Sequence, residues 1–195
     1  MMPVIQNVEA VILTGGASRR MGQDKASMSV HGFPSARRIA DQLMAHGWPV
    51  TVLGREPLQG LPFCLDAEEF AGPLSALRGF HPSAEAVFVV SCDIPLFDGR
   101  LPGVLSEFLH DNDAAVPVVC GRIQPLCALY RTAALSSLLR HPSLKRMGDW
   151  LQTLSVAQVD EEALRRHGIE PEAMMGANTP EEFYALTNPG SPWPI

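Results

Sequence analysis

Gly15 and Gly16 follow an apolar run, residues 8–13, after the single residue Thr14, and Arg19, Arg20, Gly22 and Lys25 come soon after. Glycines let backbone N–H groups approach an anion closely. Arginine and lysine neutralise phosphate charge and add no acceptor of their own. Three cations in one short loop repel one another unless an anion joins them. Such a loop at the end of a strand suits a nucleoside triphosphate. The spacing is neither G-x-x-x-x-G-K-[ST] nor G-x-G-x-x-G. Taken alone, Gly15-Gly16 also suits an ordinary tight turn.

A second group is V-V-S-C-D-I-P over residues 89–95. Asp93 stands at the end of the strongest apolar run, and Pro95 stops the ladder. In an open α/β sheet the carboxyl ends of the strands form the ligand crevice. Asp93 is thus placed to meet whatever the glycine loop holds, as a ligand of Mg²⁺ with phosphate oxygens and waters completing the shell. Capping of the next turn is the plainer role for it. Asp66 ends another short apolar run, just before A-G-P-L-S over 71–75. It suits acceptance from a ribose or base, or simply a solvated loop. Residues 124–130 and 176–180 read as strand and cap chemistry.

These groups need a frame. Apolar runs at 10–13, 49–53, 86–91, 114–119, 126–130 and 155–159 predict strands. Helical spacing predicts helices at 35–46, 73–80, 101–110, 132–139, 144–151 and 161–167. A last helix opens at Thr179-Pro180, with Thr179 as cap and Glu182 completing a capping box. Strands alternating with helices imply an α/β fold, a mostly parallel central sheet with helices on both faces. Residues 1–187 are expected to form a single domain, and the proline-rich stretch 188–195 a loosely attached tail.

The chain has 195 residues and a formal net charge of −6. That balance argues against nucleic acid and acidic membrane surfaces as partners, so cations matter where they cluster. No apolar run is long enough to span a bilayer, and the first nine residues lack the pattern of a secretory signal. A cytoplasmic location is expected. The four cysteines show no C-x-x-C spacing. Cys64 and Cys92 lie in or beside apolar runs and read as buried, reduced thiols.

Taken together, the motifs resemble those of the molybdenum cofactor guanylyltransferases. The carriers are L-T-G-G-A-S-R-R-M-G-Q-D-K (13–25), H-G-F-P (31–34), G-P-L-S (72–75), C-D-I-P (92–95), P-L-C-A-L-Y (125–130) and N-T-P-E-E (178–182). The resemblance implies a Rossmann-like nucleotidyltransferase fold and transfer of GMP from GTP to molybdopterin, with release of pyrophosphate. It implies that Leu13, Thr14 and Gly15 meet the guanosine through backbone groups, with Gly16 in the same GTP-binding loop. Lys25 would hold phosphates, Asp66 would bind GTP, and Asp93 would bind both GTP and Mg²⁺. Arg19, Lys25 and Asp93 form the expected catalytic set. Implied partners are GTP, molybdopterin with or without its metal, and molybdoenzymes or their chaperones.

The chain departs from the family pattern at four places. Thr14 stands where alanine is usual, Leu53 where an asparagine is often found, Ala76 in place of a glycine, and Gly176 in place of an asparagine. These bear more on substrate identity than on nucleotidyl transfer. They keep open a related nucleotidyltransferase using CTP or a sugar phosphate, and a non-catalytic nucleotide-binding protein of the same fold.

Overall fold

Strands that are apolar at almost every position need cover on both faces of their sheet. The computed structural model shows how that cover is arranged; it describes residues 5, 7–14, 29–30, 33–66, 71–177 and 179–187. The strands are β1 (Val8–Leu13), β2 (Ser29–Val30), β3 (Phe33–Pro34), β4 (Val50–Gly54), β5 (Phe63–Leu65), β6 (Ala86–Ser91), β7 (Ala114–Val119), β8 (Arg122–Ile123), β9 (Cys127–Arg131) and β10 (Val156–Val159). The helices are α1 (Ser35–Ala45), α2 (Pro73–Arg78), α3 (Leu101–Leu109), α4 (Thr132–Ser137), α5 (Met147–Leu151), α6 (Glu161–Arg166) and α7 (Pro180–Thr187).

The main sheet runs β10-β7-β9-β6-β1-β4-β5, with β8 hairpinned onto β7. The pairs β1–β4, β1–β6, β4–β5 and β7–β10 are parallel. β9 alone in this row is antiparallel to its neighbours β6 and β7. The mostly parallel α/β sheet expected from the sequence is what forms. The chain lays β4 and β5 to one side of β1 and then returns to place β6 on the other side. The order therefore reverses between β1 and β6, the kind of point where open α/β sheets open a crevice.

Side chains alternate across this sheet. Val8, Ala10 and Ile12 of β1 and Ala86, Phe88 and Val90 of β6 enter one core with α1, α3 and α6. Val11, Leu13, Val87 and Val89 enter the other with α2, α4 and α5. Ile39 and Leu43 of α1 and Leu101 and Leu105 of α3 are fully buried on the first face. On the second, Trp150 stacks on Tyr130 with ring centroids 4.9 Å apart. Full burial of side chains of this size stabilises by about 1.5–3 kcal/mol each, which fixes the strand order and with it the sheet edge.

Several elements differ from their sequence limits. α4 stops at Ser137 and continues as a 3₁₀ turn, Leu138–Arg140. α5 starts at Met147 rather than at 144, because Leu144 serves a turn onto His141. Cys92 is buried as expected, but Cys64 lies on the short outer strand β5 and is only half-buried. Thr179 does cap α7, accepting from the N–H of Glu182 at 3.1 Å. The tail 188–195 lies outside the described residues. Among those residues, no helix is long and apolar enough to cross a membrane.

The layers pack tightly where α1 meets the start of α3. A Cβ on Gly99 would lie 2.5 Å from the carbonyl oxygen of Gln42, and the Gly99 carbonyl accepts from Trp48 Nε1 at 3.2 Å. Backbone atoms cannot yield as a flexible side chain can. Gly99→Ala is expected to lower unfolding free energy by about 1–3 kcal/mol in a urea titration; an unchanged midpoint would contradict this packing.

Candidate active site

The site grows from one pairing. Leu13, last residue of β1, lies level with Ser91, last residue of β6. The next residues, Thr14 and Cys92, leave the sheet side by side. The Cys92 N–H donates to the Leu13 carbonyl at 3.1 Å, and the Thr14 N–H donates to the Leu53 carbonyl at 3.0 Å. The loop that begins at Thr14 therefore starts beside the turn that carries Asp93. Residues 15–25, with Gly15, Gly16, Arg19 and Lys25, lie outside the described residues.

The Asp93 turn is held from every side. Ser91 N–H donates to the Leu126 carbonyl ahead of β9 at 2.9 Å, and the Asp93 carbonyl accepts from Ala177 N–H at 2.8 Å. Arg38 of α1 donates from Nη1 to the Pro95 carbonyl. Burial lowers the pKa of that guanidinium from its ordinary value. Asp93 itself is half-buried. It lines a cleft of about 480 Å³ whose other walls include Val119, Arg122, Ile123, Gln124, Met174 and Met175. Gly176 stands against the acid: a Cβ there would lie 3.5 Å from Asp93 Oδ1, in ordinary contact.

Asp66 also reaches this edge. It follows β5, and its N–H donates to the Gly54 carbonyl at 2.8 Å. With β4 and β1 between β5 and β6, it sits three strand spacings, about 14 Å, from Asp93. Thr14 lies between the two acids along the edge. Leu53, by contrast, points into the second core with 1% exposure. Ala76 is buried in that core too, on α2. Sequence reasoning named the strand ends but missed the β7–β8 hairpin as a wall of the cleft. Cys120-Gly121 between two short β-prone runs was the available signal.

A match to a family model, the MobA-like NTP transferase domain, covers residues 10–160. The chain belongs to this family. A probable molybdenum cofactor guanylyltransferase of Carboxydothermus hydrogenoformans is 28% identical over 193 residues, covering 93% of this chain and 96% of the relative. Another of that name, from Pelotomaculum thermopropionicum, is 33% identical over 182 residues, covering 89% and 88%. The crystal structure of molybdopterin-guanine dinucleotide biosynthesis protein A from Archaeoglobus fulgidus aligns with TM-score 0.73 at 20% identity, over 92% of this chain and 96% of that one. This MobA-like chain is thus a nucleotidyltransferase with the Rossmann-like α/β fold of its relatives.

Two groups beside the site stay protonated. Burial pushes the Cys127 thiol well above its ordinary value of 9.0, and the charge of Asp93 adds to that. Burial likewise raises Tyr130 above 10.0, with Cys127 contributing. Tyr130 donates its hydroxyl to the Pro125 carbonyl at 2.7 Å. A folded pKa above the unfolded one gives stability that is intact below the unfolded value and lost as pH rises past it. Urea-melt stability of this MobA-like domain should therefore fall from about pH 9 upward, each group adding about 1.4 kcal/mol per pH unit once its unfolded form ionises. Cys127→Ala should remove the thiol's share of the slope between pH 9 and 10; an unchanged slope would contradict the assignment.

Proposed function

We propose that this chain transfers GMP from GTP to molybdopterin and releases pyrophosphate. The observation that carries the reading is the adjacency of the β1 and β6 ends, which starts the glycine-and-cation loop beside Asp93. The names of the curated relatives support the choice of donor and acceptor.

In this reading the nucleotide lies along the carboxyl edge of the sheet. Its guanosine end sits toward Asp66, with backbone groups of Leu13, Thr14 and Gly15 beside it. The Thr14 N–H serves the Leu53 carbonyl at 3.0 Å and its hydroxyl donates there at 3.5 Å, so Thr14 offers its carbonyl and the acceptor side of its hydroxyl. The Leu13 carbonyl, which accepts from Cys92, has one lone pair left. The triphosphate follows the loop, where Arg19 and Lys25 meet its charge. The acceptor enters the cleft on the far side of Asp93.

A phosphate oxygen of molybdopterin attacks the α-phosphorus of GTP. The new P–O bond forms as the bond to the β-phosphate oxygen breaks, and pyrophosphate leaves with that electron pair. A phosphate nucleophile is already ionised near neutral pH, so no general base is needed. Positioning and charge stabilisation are what the protein must supply. Among the described residues no group of three His, Cys, Asp or Glu side chains could by itself hold a metal ion. A single carboxylate with phosphate oxygens and water is, however, an ordinary Mg²⁺ environment, and Asp93 fits that part. Bound there, Mg²⁺ would neutralise charge on the phosphates.

Lys25→Ala is expected to cut pyrophosphate release from GTP and molybdopterin by about 10²–10³-fold with an unchanged melting curve. Asp93→Asn should raise the Mg²⁺ concentration needed for half-maximal rate. Wild-type rates in both variants would overturn the reading. In a thermal-shift comparison with Mg²⁺, GTP should raise the melting temperature more than CTP does. The reverse order would favour a cytidylyltransferase, and binding of GTP with no pyrophosphate released would favour a non-catalytic protein.

A further inference from the structure

Two anions must meet in this reaction class. The nucleotide side has the cations of the loop. On the acceptor side, Arg122 is the one cation among the described residues that line the cleft beside Asp93. No carboxylate among the described residues pairs with it. Asp93 shares the cleft, so an incoming phosphate meets a negative charge unless a positive one is supplied.

The element that carries Arg122 is built for a set direction. Val119 of β7 pairs with Arg122 of β8, leaving the two-residue turn Cys120-Gly121. Both residues have positive φ, 50° and 69°, as a type I′ hairpin turn demands. Gly121 adopts this freely. Cys120 is strained there, and strain of this kind persists only where surroundings impose it. The imposing group is Glu161 at the start of α6. Its Oε1 accepts from Cys120 N–H at 2.8 Å, while its Oε2 pairs with Arg165 at 2.9 Å. The Gln124 N–H donates to the Pro117 carbonyl at 2.8 Å, and its side-chain amide to the Arg122 carbonyl at 3.3 Å. Ile123 of the hairpin, with Met174 and Met175, gives the cleft an apolar, polarisable lining that suits a flat ring.

We propose that the β7–β8 hairpin is the acceptor anchor, with Arg122 binding the phosphate monoester of a ring-bearing acceptor and turning it toward Asp93. The identity of the acceptor as molybdopterin rests on the guanylyl-transfer reading; the phosphate anchor applies equally to a sugar phosphate. Arginine presents paired N–H donors that match a phosphate, so it orients as well as attracts.

The test has two arms. In the first, phenyl phosphate is titrated into nitrogen-15-labelled protein, and the Nε–H signal of Arg122, assigned by its loss in Arg122→Gln, is followed. A saturable shift with phenyl phosphate and none with phenol is expected. In the second, Arg122→Gln should raise the acceptor KM at least about tenfold and leave the GTP KM within about twofold, with Arg122→Lys in between. A hairpin role that is only structural would not separate the two KM values or distinguish phenyl phosphate from phenol. Absence of the shift, or an unchanged acceptor KM, would overturn the anchor. A saturable shift in a protein that makes no dinucleotide from GTP and molybdopterin would keep the anchor and remove the guanylyl-transfer reading instead.

Discussion

The turn after β6 is fixed by hydrogen bonds to its backbone from four different parts of the chain: the β1 carbonyl of Leu13 at Cys92, the segment before β9 at Ser91, the Ala177 N–H on the carbonyl of Asp93, and the Arg38 side chain on that of Pro95. Each such bond stabilises by only about 1 kcal/mol net. Their effect lies in direction, because each group would otherwise be a partly buried polar atom without a partner. Asp93 is the residue they place. Residues far apart in sequence, from α1 to the segment before α7, converge on the backbone of the turn that carries this one acid.

Charge explains why the site must be local. At a net charge of −6, the molecule as a whole repels a triphosphate. Attraction has to come from cations set close to the binding edge, where separation is short and water partly excluded. Arg19, Arg20 and Lys25 are close together in the sequence, and Arg122 lines the cleft that also holds Asp93. The central strands beneath are closely packed, with Ile12 and Phe88 fully buried, and offer a rigid base for that arrangement.

Much of this frame was legible in the residues. Ala86–Ser91 and Ala114–Val119 emerged at their sequence limits because strands buried on both faces read as unbroken apolar runs. The acid at the end of β6 stood out for the same reason. β5 went unread: it has three residues, and Phe63 and Leu65 are exposed at the sheet margin. The direction of β9 could have been inferred, since the seven residues between β7 and β9 are too few for a parallel crossover. Leu53 stands where an asparagine is often found, yet its side chain faces the core, a fact that strand phase alone leaves open. The role of Arg122 depends on a tertiary neighbour, Glu161, and on walls drawn from residues 174–176, which no local pattern brings together.

The placement of a metal-bound nucleotide on the β1–β6 edge can be read directly by paramagnetic broadening. With Mn²⁺ and GTP added to nitrogen-15-labelled protein, the amide signals of Thr14, Cys92 and Ala177 should vanish. Those of Ser83 and Ala84, beyond the opposite end of β6 and about 20 Å away, should persist. Sharp signals at Thr14 and Cys92, with broadening around Ser83, would contradict the account.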